Sequence, residues 1–96
     1  MNQLDILDFL KKEKPFLMKA YGVKAIGLFG SYAKRNEQPD SDIDILVELT
    51  QPKFELLAGL QIYIEKKIGK KIEVIRKQAQ QKSHFFELVE KEIIYV

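Results

Sequence analysis

Apolar residues recur at helical spacing over residues 2–20: Leu4, Leu7, Leu10, Phe16 and Leu17, with Ile6 and Phe9 widening the stripe. The pattern predicts a leading helix that stops at Tyr21-Gly22. Pro15 falls inside it and leaves two options, a split into two helical turns or the start of a second helix. Residues 23–29 form a short apolar run flanked by glycines, which suits a buried strand. Residues 31–37 are compatible with a helix, and Pro39-Asp40-Ser41 reads as a turn. A second strand follows over 43–49, with carboxylates at alternate positions. The longest helical pattern covers 54–68, with Leu57, Leu60, Ile64 and Ile68 on one face. Lys66 and Lys67 stand in its last turn, where cations are favoured, and Gly69 supplies the stop. A third strand is expected over 72–75, a helix capped by Ser83 over 83–91, and a closing strand over 93–96. The order α-β-α-β-α-β-α-β predicts a mixed α/β (α+β) domain around a small sheet.

Length and composition narrow this further. Ninety-six residues fit a single domain over 1–96. With 46% hydrophobic and 31% charged residues, the chain has material for a core and a solvated surface, which excludes a disordered or low-complexity protein. The absence of cysteine excludes a disulfide scaffold and a thiolate nucleophile, and a single histidine makes no zinc site. A net charge of +2 is close to balance, so direct nucleic-acid binding is not expected. No apolar run reaches the ~18–20 residues of a membrane span, and the N-terminus has no signal-peptide pattern. The expected location is the cytoplasm, away from any membrane.

One stretch carries chemistry. A strand ends in Phe29-Gly30-Ser31 and runs into a helix. Glycine lets a ligand approach the backbone, free amides at a helix start favour an anion such as phosphate, and the Ser31 hydroxyl adds a donor. Ten residues after Ser31 comes Asp42-Ile43-Asp44 at the start of the second strand. Residues i and i+2 share one face of a strand with Cα atoms roughly 6.5–7 Å apart. Two carboxylates converging there suit divalent cations about 3.5–4 Å apart, as used in phosphoryl and nucleotidyl transfer. Ile43, Ile45 and Val47 on the opposite face would anchor the strand. Like charges side by side on a strand are costly unless a cation compensates them. Gly-Ser before a helix is by itself an ordinary turn, and a lone Asp-x-Asp is ordinary acidic surface; their combination at this spacing defines a site.

Gly-Ser, ten residues, then Asp-x-Asp resembles the signature of the minimal nucleotidyltransferases of the DNA polymerase beta superfamily, and the likeness extends over nearly the whole chain. The resemblance implies a nucleotidyltransferase palm, a small mixed sheet with helices packed on one face. It implies that Gly30 and Ser31 hold the phosphates of ATP, that Asp42 and Asp44 bind two Mg²⁺ ions, and that a third acid completes the metal site and orients or deprotonates the attacking hydroxyl. Glu73 in Lys71-Ile72-Glu73-Val74-Ile75 stands at that position, where the family usually has Asp. The glycine common after Gly-Ser-Tyr-Ala-Arg is replaced here by Lys34-Arg35, whose side chains are candidates to neutralise the triphosphate. The likeness is greatest to the small antitoxins paired with HEPN-domain ribonuclease toxins, which transfer AMP from ATP to a toxin tyrosine. A HEPN toxin is thus the expected partner. Two other readings stay open, a palm that neutralises its partner by binding alone and a nucleotidyltransferase acting on a small molecule or RNA end with a separate substrate-binding subunit.

Other features are assigned bland roles. His84 is read as a surface or capping residue, Tyr32 and Tyr95 as packing residues, and Lys66, Lys67, Lys70, Lys71, Arg76 and Lys77 as a solvated rim. The stripe of Leu56, Leu57, Leu60, Ile62, Tyr63 and Ile64 is broader than one core face needs, so self-association or a protein interface is expected of the remainder.

Overall fold

The computed structural model describes residues 1–77, 87 and 90–96. Helix α1 (Gln3–Tyr21) leads into β1 (Val23–Phe29), the one-turn helix α2 (Gly30–Ala33), β2 (Ile43–Leu49), helix α3 (Phe54–Ile68), β3 (Ile72–Arg76) and the two-residue β4 (Ile94–Tyr95). The sheet order is β3-β2-β1-β4, with β1 antiparallel to both β2 and β4, and β2 parallel to β3. The expected helix over 83–91 and His84 lie largely outside the described residues.

Helix α1 begins on a reciprocal cap. The Asn2 side chain accepts from the Asp5 amide at 3.0 Å, and the Asp5 carboxylate accepts from the Asn2 amide at 3.1 Å. Pro15 neither splits the helix nor starts a second one, because α1 runs unbroken through it. Its ring faces solvent, where water can satisfy the Lys11 carbonyl, while the fully buried Leu10 and Leu17 hold both halves to the same core. The buried stripe also has a different phase from the expected one. Gln3, Ile6, Leu10 and Leu17 face inward, whereas Leu4 is 60% and Phe16 47% exposed.

One face of the sheet carries the main core. Val23, Ile26 and Leu28 of β1 and Ile43, Ile45, Val47 and Leu49 of β2 join Leu60 and Ile64 of α3 and the buried side chains of α1. The opposite face carries Phe29 and Leu46, with Ile75 and Ile93 against them. Ile43, Ile45 and Val47 are fully buried, as their alternation predicts. At roughly 1.5–3 kcal/mol each they anchor β2 firmly enough to carry two carboxylates on its other face. Tyr32 is buried, as expected, but Tyr95 is half exposed because β4 is a short strand at the sheet edge.

Candidate active site

Strand pairing assembles the acidic residues. The antiparallel register sets Phe29 opposite Asp44, which places the end of β1, and so Gly30, against that carboxylate. The parallel register sets Asp44 beside Glu73. Because side chains alternate with a period of two, a slip of one residue would send Glu73 into the core. The Glu73 carboxyl acts on Asp44 across this pairing, and Asp42 adds its charge from two residues upstream.

These neighbours show in the acidity of Asp44. Desolvation by burial comes first, followed by the Glu73 carboxyl and the charge of Asp42, and together they push the Asp44 carboxyl up to about 6. Burial and two neighbouring carboxylates thus all disfavour the ionised form of Asp44. Asp42 is also approached by the Lys71 ammonium at 3.9 Å, a long, largely exposed pair of little energetic weight. Hard carboxylate oxygens of this kind suit Mg²⁺. Among the described residues no three ligating side chains already enclose an ion: Glu73 and Asp42 both act on Asp44, and Asp42 is also within 3.9 Å of Lys71.

Gly30 is fixed in place by the same carboxylate. Its φ of 74° lies in the left-handed region, and a Cβ added to it would collide with the Asp44 carboxyl oxygen. No side chain caps the α2 helix that starts here, so no side-chain acceptor takes up its first-turn amides. At four residues, α2 has almost no macrodipole, and what it presents is the donors themselves.

The helix expected over 31–37 ends at Ala33. The Arg35 amide donates to the Tyr32 carbonyl at 3.3 Å and the Asn36 amide to the Ser31 carbonyl at 3.0 Å, with Arg35 left-handed at φ 59°. This is a Schellman stop with an arginine where glycine is usual. Arg35 Nε donates to Gln3 Oε1 at 2.9 Å, and Gln3 Nε2 donates to the Ala33 carbonyl at 2.8 Å. Lys34 pairs with Glu92 at 3.2 Å. Both candidate triphosphate cations thus have partners of their own outside the acid cluster.

A third tie was missed in the sequence. Lys70 donates to the Tyr32 hydroxyl at 2.7 Å, linking α2 to the turn before β3. The ammonium approaches the hydroxyl end of the ring, so the contact is a hydrogen bond and not a cation over the aromatic face. Gln3 was missed as well, although it falls in phase with Ile6, Leu10 and Leu17, which is the signal that would have found it.

This assembly of a glycine-opened turn against paired strand carboxylates is that of a nucleotidyl-transferring palm. The chain belongs to the polymerase beta nucleotidyltransferase family, which it matches over residues 5–96, and it is a nucleotidyltransferase. Among its relatives is a Methanocaldococcus jannaschii protein with the provisional name protein adenylyltransferase MJ1379, 38% identical over 95 residues, covering 96% of this chain and 95% of that one. Protein adenylyltransferase MntA of Thermococcus cleftensis is 33% identical over 93 residues, covering 96% and 93%. The fold also matches a solved complex of a tri-AMPylated HEPN toxin of Shewanella oneidensis with its MNT antitoxin. There the TM-score is 0.63 at 15% identity, with 92% of this chain and 69% of that chain covered. No described helix is long and apolar enough to cross a membrane.

Proposed function

We propose that this protein transfers AMP from ATP to a tyrosine of a HEPN ribonuclease toxin and acts as its antitoxin. The observation that carries the reading is the meeting of Gly30, Asp44 and Glu73 at the ends of β1, β2 and β3. Relatives named protein adenylyltransferase, and an AMPylated toxin held by a protein of this fold, support the acceptor.

Asp42, Asp44 and Glu73 would hold Mg²⁺, which supplies charge neutralisation at the phosphates when bound. Gly30 keeps side chains away from the phosphates, and the α2 amides and Ser31 hydroxyl donate to their oxygens. The tyrosine oxygen attacks the α-phosphorus, and the bond to the departing pyrophosphate breaks in line. Glu73, at the edge of the acid pair, orients the phenol and accepts its proton.

Co-expression with the adjacent gene product, followed by intact mass of both chains, tests this. The expected result is one or more AMP increments on the partner, lost in Asp44→Asn. Label on RNA or a small molecule in its place would redirect the acceptor, and stable binding without any increment would leave neutralisation by binding alone.

A further inference from the structure

We propose that Gln3 is a positioning residue for the nucleotide: through Arg35 and Ala33 it locks the C-terminal end of α2 and thereby fixes the Gly30-Ser31 turn. The inference rests on the nucleotidyl-transfer reading above, and it concerns a residue remote in sequence from the signature.

Gln3 is the one buried polar side chain among the described residues, 8% exposed, in an otherwise apolar stripe. A buried amide is retained only if both ends are satisfied. Here its Nε2 donates to the Ala33 carbonyl, a helix-terminal acceptor that α2 itself does not use, and its Oε1 accepts from Arg35 Nε. Arg35 is the only described non-glycine residue with positive φ, a conformation disfavoured by its Cβ. The side chain thus holds the backbone where glycine would rest freely.

The consequence reaches the turn because α2 is so short. A single helical turn does not persist unaided. Every α2 residue lies within three positions of Gly30, and the Schellman bonds tie Asn36 back to Ser31 itself. Loosening Arg35 therefore frees the Ser31 carbonyl and unsettles the amides that face the phosphates. Arg35 acts through its backbone here, not by reaching the triphosphate.

Four variants test this by two readouts, amide hydrogen exchange at Arg35 and Asn36, and calorimetric affinity for ATP with Mg²⁺. Gln3→Leu and Arg35→Ala should each speed exchange about tenfold and weaken ATP about tenfold. Arg35→Gly should bind ATP as wild type does, and Gln3→Leu with Arg35→Gly should recover what Gln3→Leu loses. If Gln3→Leu does not fold, the Arg35 pair decides alone, since Arg35 is exposed. Equal weakening in Arg35→Ala and Arg35→Gly would overturn the proposal in favour of direct contact with the nucleotide. Unchanged exchange and affinity in Gln3→Leu would make Gln3 a core residue only. Failure of the parent reading looks different: wild type binds no ATP with Mg²⁺, while the exchange arm still decides the clamp.

Discussion

The two ends of α2 both leave the ordinary helical region, at φ 74° for Gly30 and 59° for Arg35, and solve the same backbone problem in opposite ways. At Gly30 the solution is the absence of a side chain, because the space a Cβ would take belongs to the Asp44 carboxyl. At Arg35 there is room outside, and a side chain is tolerated because Gln3 holds it. The first end faces the acid cluster and answers to chemistry. The second faces helix α1 and answers to packing. A left-handed residue therefore means a ligand approach at one end and a long-range clamp at the other.

The largest effects fall on the acid side. Glu73→Gln should slow AMP transfer by about 10²–10⁴-fold while ATP still binds, the usual range for losing a general base. Glu73→Asp, with the commoner family residue, should preserve or raise the rate. Asp44→Asn should cost at least ~100-fold in transfer through loss of a ligand, yet leave cation-free stability unchanged or slightly higher, since it removes like-charge repulsion. Single-turnover labelling and urea unfolding of the same samples check both. Wild-type rates in Glu73→Gln would reduce Glu73 to a surface residue beside Lys70 and Lys71.

Next in size is Gly30→Val, which should destabilise by about 3 kcal/mol. It combines a left-handed backbone with a branched side chain and a collision with Asp44. Combining it with Asp44→Ala should relieve the collision and recover part of the loss; strict additivity in urea midpoints would show the strain to be in the backbone alone.

Protonation sharpens the contrast further. Burial and the neighbouring carboxylates push the Asp44 carboxyl up to about 6 from its ordinary 3.8, so the folded state holds the proton more tightly. Its stabilising contribution is present at low pH and is lost as pH rises through about 6. Allowing for solvent screening, cation-free protein should lose about 1 kcal/mol between pH 4 and 7 on this account. Asp44→Asn should lack that increment in urea titrations with EDTA. Added Mg²⁺ should stabilise wild type more at pH 7 than at pH 5.

What was readable in the sequence follows the range of the interactions. Ile43, Ile45 and Val47 alternate with Asp42 and Asp44, and that local period places the acids on one face without further information. The resemblance points to Glu73 as the third acid, but local periodicity does not, and it is the β2–β3 register that sets it beside Asp44. The length of α2 was not readable, because its stop lacks glycine and depends on Gln3, 32 positions from Arg35. Pro15 misled for a related reason: its local preference to break a helix is outweighed by Leu10 and Leu17, buried on either side.

The smallest effect probes the packing end itself. Arg35→Gly supplies the residue the left-handed position prefers, which on backbone grounds gains ~1 kcal/mol. Against this stand the lost hydrogen bond to Gln3, at ~0.5–1.5 kcal/mol, and the greater freedom of glycine in the unfolded chain, at ~0.5–1 kcal/mol. The buried Gln3 oxygen is also left without its donor. The losses outweigh the gain, so Arg35→Gly should be about 1 kcal/mol less stable than wild type even though it moves toward the family pattern. In Gln3→Leu the orphaned oxygen is gone, and the same Arg35→Gly change should become neutral or stabilising. A double-mutant cycle by urea unfolding reads this as a coupling energy of about 1 kcal/mol or more. A coupling near zero would mean that Arg35 holds its conformation without Gln3, and the two ends of α2 would then differ only in what lies beside them.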